Sequence, residues 1–252
     1  MKSPILDSFS FMGGMLLREI IPKNSVVESY FLYSGEIEIG LCSKERLVIS
    51  HTCKYPTYEF WWMAKNQPSR IASMAQSIFP GLSTEMLYRF QENWHEQRDP
   101  VYRAALFYIL NRCSEENQVS SGVINRRRLS PVTTSRFKKL SIDNFHVILD
   151  KPQSLCDRIN NSIKSDIRLF PVGEFGLNML DAGSEGSHEQ EYINHQQLYE
   201  TLSGEKFKWV VLYKYHKKVI QRYEDYNIIM VDKYGNRTIQ QNRCEDIIVT
   251  NF

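Results

Sequence analysis

"SDIRLFPVGEFG" (165–176) reads as a buried strand running into a turn. Ile167, Leu169 and Phe170 give the apolar run, and Pro171, Gly173 and Gly176 are expected to end it. In an open α/β sheet, ligands and chemistry gather at the carboxyl ends of strands. The tip of this strand offers Glu174 and Phe175 but no Asp, Asn, Ser, Cys or His. The segments around it set the fold class, and its odd tip sets the functional question.

Working outward, short apolar runs at 26–28, 47–49 and 145–149 read as further strands, and "KWVVLYKY" (208–215) reads as a core strand. Helical patterns lie between them. "YPTYEFWWMAKNQPSRIASMAQSIF" (55–79) reads as two helices broken near Pro68. "STEMLYRFQENWHEQ" (83–97) opens on a capping signal at Ser83 or Thr84. "DPVYRAALFYILNR" (99–112) has Asp99 to cap it and Pro100 in its first turn. Residues 152–164, 194–204 and the stretch after Tyr215 read as shorter helices, and 226–252 as a closing β-hairpin turning at "YGNR". Two segments break the pattern. Residues 113–139 are polar and basic and read as a long functional or disordered loop, and 177–192 read as a mobile loop. Strand and helix alternate at both ends around a helical middle, which is an α/β architecture with a helical subdomain.

At 252 residues the chain fits one large domain, with or without an insertion. Its net charge of +2, from 31 Lys+Arg against 29 Asp+Glu, leaves nucleic-acid binding to be argued from local clustering alone. The five cysteines are odd in number and scattered without a CxxC pair, which speaks against a disulfide framework or zinc site and for a reducing, intracellular setting. "MKSPILDSFSFMGG" lacks the apolar core of a secretory leader, and no apolar run approaches the length of a membrane span.

The segment "YRFQENWHEQRDPVYRAALFYILNR" (88–112) resembles the helical lead-in of the Dam-type DNA adenine N6-methyltransferases, which ends in an "LNR" tripeptide matched here by Leu110, Asn111 and Arg112. Weaker likenesses follow in the same order along most of the chain. "FSFMGG" (9–14) stands where the family has F-x-W-x-G-G-K, "VVESYFLYSGE" (26–36) where it has V-E-P-F-x-G-x-G-S, and "INHQQLYETL" (193–202) and "CEDIIVTNF" (244–252) at its later helix and strand. The resemblance implies a Rossmann-like S-adenosylmethionine-methyltransferase fold. It implies an α/β domain in two parts, 1–54 and 141–252, around a helical DNA-recognition subdomain with a basic loop at 55–140.

Residue by residue, the family's chemistry is eroded. At the cofactor positions Gly13, Gly14 and Glu28 are kept and Gly35 remains shifted in register, but Leu32, Tyr33 and Ser34 fill the glycine-rich turn, Ser50 and His51 stand in place of the ribose-binding acid, and Met15 replaces the Lys. "LFPVGEF" stands at the D-P-P-Y motif that holds a flipped adenine, so Pro171, Val172, Gly173, Glu174 and Phe175 keep only Phe175 as a ring to stack on a base. The expectation is a pseudo-methyltransferase with no catalytic residues, no bound cofactor and no metal, which binds double-stranded DNA or scaffolds a nucleoprotein assembly. The alternatives are a divergent but active enzyme that uses S-adenosylmethionine, and a non-catalytic subunit of a methyltransferase heteromer or a viral structural protein. A protein partner would then be an active methyltransferase or a second copy of the chain, in a bacterial cytoplasm or encoded by a phage.

The DNA contacts expected from the resemblance are Arg112, Asn125, Arg126, Arg127, Arg128, Arg136, Lys138 and Lys139. Such a cluster suits phosphates, with Arg and Asn able to reach base edges. A solvated surface loop has the same composition. His188, Glu189, Glu191 and His195 lie close in sequence, but their spacing matches no defined metal-ligand set. Trp61 and Trp62 in "EFWWMAK" read as packing of the helical subdomain or as a partner patch.

Overall fold

The structure is a computed structural model and describes residues 2–7, 10–42, 45–151, 154–160, 164–175 and 189–252. Eight strands form one sheet: β1 (Val26–Ser29), β2 (Leu47–Thr52), β3 (Phe145–Leu149), β4 (Ile167–Gly173), β5 (Trp209–Lys214), β6 (Asn227–Asp232), β7 (Arg237–Thr238) and β8 (Cys244–Thr250). Their order is β3-β2-β1-β4-β5-β8-β6-β7. β1 to β5 pair in parallel, and β8 runs antiparallel between β5 and β6. The chain winds one way from β1 to β3, then crosses to β4 and winds the other way. That places a topological switch point between β1 and β4. A doubly wound parallel half, with the last strand inserted antiparallel beside β5, is the Rossmann-like S-adenosylmethionine-methyltransferase fold.

Burial accounts for the apolar runs. Residues 209–213 of β5 and 247–249 of β8 are fully buried, as central strands covered on both faces must be. α1 (Gly14–Ile20) precedes β1, and α2 (Glu36–Leu41) links β1 to β2. α8 (Leu155–Asn160), α9 (His195–Ser203) and α10 (Lys217–Arg222) fall in the later connections. Between β2 and β3 come α3 (Tyr55–Asn66), α4 (Pro68–Ile78), α5 (Thr84–Asn93), α6 (Pro100–Cys113) and α7 (Pro131–Lys138). Their starts are those the sequence signals: Pro68 opens α4, Ser83 accepts from the Met86 amide, and Asp99 from the Val101 amide. α6 is buried at Val101, throughout 104–111 and at Cys113, so it is a central helix rather than an amphipathic one. Phe60 stacks on Phe107 of α6 at 4.7 Å, and Trp94 meets the same ring edge-on at 5.2 Å. Trp61 is buried in this packing, whereas Trp62 is exposed.

Three expectations are corrected. β4 does not stop at Pro171. It bends there, with a register shift against β5 between Pro171 and Gly173, and Gly173 takes φ +84°. Proline lacks the N–H of a regular ladder and is tolerated at such a bulge. Residues 113–139 are not a loop throughout. Ser130 and Thr133 form a capping box that starts α7, and Val119, Ile124, Leu129 and Phe137 anchor the segment in the core. The final stretch is more than a hairpin. β6 turns through Gly235 (φ +83°) into β7, and its longer partner is β8. The expected loop at 177–192 falls mostly on 176–188, outside the described residues.

The N-terminal segment is tied to β8 by one carboxylate. Asp246 of β8 is fully buried and accepts from the amides of Met12 and Gly13, the latter at 2.9 Å, while Lys214 donates to its other oxygen. Asp246→Ala strands two amides and an ammonium group. It is expected to lower the unfolding free energy by about 3 kcal/mol in urea titrations.

Candidate functional site

Where β1 and β4 part, a fold of this kind opens a crevice at their carboxyl ends. Here the chain leaves β1 through Tyr30, Phe31, Leu32 and Tyr33, with Phe31 in the left-handed region (φ +64°). Tyr30 is fully buried and stacks on His51 of β2 at 4.9 Å and on Phe170 of β4 at 5.0 Å. Leu32 and Tyr33 are buried as well, and the Tyr33 hydroxyl donates to the Asn117 carbonyl at 3.0 Å. Gly35 has φ +63°, and a Cβ there would lie 2.8 Å from a ring carbon of Trp61. The Trp61 indole donates to the Tyr33 carbonyl at 2.7 Å. The glycine therefore makes room for the chain's own tryptophan.

Beneath Tyr30 runs a chain of buried charges. His51 contacts Glu28 through Nε2 at 3.3 Å and Asp150, just past β3, through Nδ1 at 3.0 Å. Arg158 of α8 donates from Nε to Asp150 at 2.8 Å and from Nη1 to Glu191 at 2.7 Å, with its guanidinium 5.8 Å from the Tyr30 ring. Glu191 also accepts from the Cys53 amide at 2.6 Å. Burial alone would lower the His51 pKa, but Asp150 and Glu28 outweigh it and hold it above the ordinary value. Asp150 is held low against its own burial by His51 and Arg158. His51 thus stands near the carboxyl end of β2 and is itself bound by two acids.

Next to this lies a cavity of ≈ 100 Å³ edged by Asp7, Phe31, Glu38, Glu174, Glu191 and His195. Sites for cofactor-sized ligands run from about 300 Å³ upward. Asp7 accepts from the Ser34 hydroxyl; burial, with repulsion from Glu38 and Glu36, still pushes its pKa up to about 7.

The strand-end motif position is committed elsewhere. Phe175 is buried between His195 (4.6 Å) and His216 (5.0 Å), with Arg222 5.1 Å from its ring. The expectation that it remains a ring for a flipped base is corrected, because both its faces are covered. Pro171 and Val172 edge the small cavity, Gly173 makes the bulge, and Glu174 is exposed at its rim. Gly13 packs on Ile248 and gives its amide to Asp246, and Gly14 opens α1 near Ile37. Met15 is exposed.

The basic candidates divide in two. Arg128 donates to the Ser114 carbonyl and to Asn117 Oδ1 at 2.6 Å. Arg126 donates to the Phe79 carbonyl at 3.3 Å and lies 5.2 Å from that ring, and Asn125 caps the Arg127 amide. Those three side chains hold the segment together. Arg127, Arg136, Lys138 and Lys139 are exposed, and Arg112 is half-buried at the end of α6. Glu189, Glu191 and His195 diverge to separate partners: the Val119 and Ser120 amides, Arg158, and Phe175. His188 lies outside the described residues, and among the described residues no group of three or more His, Cys, Asp or Glu is arranged to hold a metal. No described helix is long and apolar enough to cross a membrane.

Tyr30, Asp150 and Arg158 are the site residues that sequence reasoning missed, and Glu191 was read only as one of a loose His/Glu group. An acid directly after a strand was the one available signal, at Asp150; Tyr30 reaches His51, and Arg158 and Glu191 join the chain of charges through Asp150, only through the fold.

No family model and no curated protein matches the chain. Among solved structures it is similar to an rRNA methylase from Streptococcus thermophilus at 9% identity and TM-score 0.38, covering 95% of this chain and 93% of that one. It is similar also to a chain described as an rRNA methylase from Clostridium thermocellum, at 11% identity and TM-score 0.40, covering 94% and 92%. Likenesses of that degree say nothing of what this chain binds or does.

A folded His51 pKa above the unfolded value of about 6.5 stabilises fully below that pH and is lost as pH rises through the folded value. Urea unfolding is therefore expected to show lower stability at pH 8.5 than at pH 6. His51→Gln is expected to be less stable than the parent at pH 6 and to lose less on going to pH 8.5.

Proposed function

We propose that this chain is a methyltransferase-fold protein that neither binds S-adenosylmethionine nor transfers a methyl group, and that acts by binding double-stranded DNA. The single observation that carries the first half is the Tyr30 stack on His51 and Phe170 at the switch point, closed from below by Glu28, Asp150 and Arg158. A nucleoside laid across the ends of β1 and β2 would have to displace these side chains, and each displaced charge would leave a buried partner uncompensated. Phe175, covered on both faces, supports the absence of base flipping.

The second half rests on Arg127, Arg136, Lys138 and Lys139, exposed within one short segment of a chain whose overall charge is nearly balanced. Point charges of this kind grip phosphates and read little sequence. Binding by this face alone is non-specific, with dissociation constants of about 10⁻⁴ to 10⁻⁶ M at physiological salt. A role as a scaffold in a nucleoprotein assembly follows from the same contacts.

The test is a fluorescence-anisotropy titration of duplex DNA at two or more salt concentrations, beside a tritium-methyl transfer assay. The expected result is salt-dependent binding, no transfer, and a log K against log salt slope reduced by about 2 in Arg127→Ala/Lys138→Ala. Methyl transfer, or binding indifferent to salt and to the double variant, would overturn the reading.

A further inference from the structure

A second cavity, of ≈ 770 Å³, lies away from the strand ends, between the N-terminal residues 2–6 and the ends of α6 and α7. Four cations edge it, Lys2, Arg112, Arg136 and Lys139, against the one carboxylate of Glu36. Its apolar wall comes from the half-buried Leu6 and Leu140, backed by Ile5 and Phe137 of the core. The volume is in the range of small-molecule sites, and the mix of an apolar wall with a few convergent charges is their usual make-up.

Arg112 is the informative member. It stands in the last turn of α6, and its Nε is buried with no hydrogen-bond partner. Burial, joined by the neighbouring Arg128, holds its pKa below the ordinary value. Arg126 and Arg128 nearby give their guanidinium groups to chain oxygens. Among the described residues Arg112 has no such partner and no carboxylate beside it. A guanidinium nitrogen buried without a hydrogen-bond partner is costly, and an anion in the cavity that accepts from it removes that cost. The excess of cations suits a doubly charged anion, and the planar guanidinium fork suits phosphate oxygens.

We propose that this cavity binds a phosphate monoester carried on an aromatic body, a nucleoside monophosphate by class, with Arg112 and Arg136 on the phosphate and the base against Leu6 and Leu140. Arg136 and Lys139 are shared with the exposed basic segment, but Arg127 and Lys138 do not edge the cavity, and Arg112 is half-buried where those two are exposed. The same group could arrive as a free nucleotide or as the 5′-phosphorylated end of a strand.

Isothermal titration of the full chain with adenosine monophosphate is expected to give a dissociation constant of tens of micromolar, roughly −6 kcal/mol. Adenosine and inorganic phosphate are expected to bind at least about tenfold more weakly, since each lacks half of the recognition. Arg112→Gln and, separately, the surface variant Arg136→Gln should each weaken the nucleotide about tenfold or more, while Arg127→Ala/Lys138→Ala leaves it unchanged. Arg136→Gln keeps the test open should Arg112→Gln fail to fold. Competition by a 5′-phosphorylated but not a 5′-hydroxyl oligonucleotide would assign the site to strand ends; no competition by either would assign it to the free nucleotide. No binding of adenosine monophosphate at millimolar concentration, equal binding of inorganic phosphate, or affinity unaltered in both arginine variants would overturn the proposal.

Discussion

Tyr30, stacked on both His51 and Phe170, is the contact on which the rest of the site depends. It stands on the first residue after β1, where a doubly wound sheet divides and a nucleotide-binding relative needs open backbone. Once an aromatic ring fills that point, the residues around it take on structural duties. His51 is shared by Glu28 and Asp150, Asp150 and Glu191 are tied by Arg158, and Arg158 lies near the ring that started the sequence of contacts. Buried charges of this kind are poor sources of net stability but strict about geometry, because removing one leaves the next unpaired. The result is a methyltransferase-type frame with its crevice reduced to a small, carboxylate-edged hollow.

The other glycines and amides of the expected cofactor positions are likewise engaged within the chain. Gly35 yields space to Trp61, Gly13 packs on Ile248, and the amides of Met12 and Gly13 turn to Asp246. Each is explained by a neighbour in the chain.

The helices and core strands were legible because local signals and burial agree. Ser83, Asp99 and Pro100 mark helix starts, and the runs at 209–213 and 247–249 mark buried strands. Two local misreadings have clear causes. Pro171 reads as a terminator but sits at a bulge, and the Ser/Thr-rich stretch around Ser130 reads as loop but encodes a capping box. The candidate site was legible only as a set of departures from the pattern the resemblance implies. What replaces the pattern was not, since Glu28, His51, Asp150, Arg158 and Glu191 come from five separate segments, and the basic cavity joins residues 2–6 to α6 and α7. Charge counting along 126–139 also could not separate Arg126 and Arg128, which hold the segment together, from Arg127, Arg136, Lys138 and Lys139, which face outward.

The decisive property is whether the crevice between β1 and β4 admits a nucleoside. Isothermal titration of the full chain with S-adenosylmethionine tests that directly. The closed switch point predicts no heat of binding up to millimolar cofactor. A saturable isotherm in the micromolar range, weakened by substitution of His51 or Glu174, would mean that the Tyr30 stack opens for the ligand, and would contradict the account.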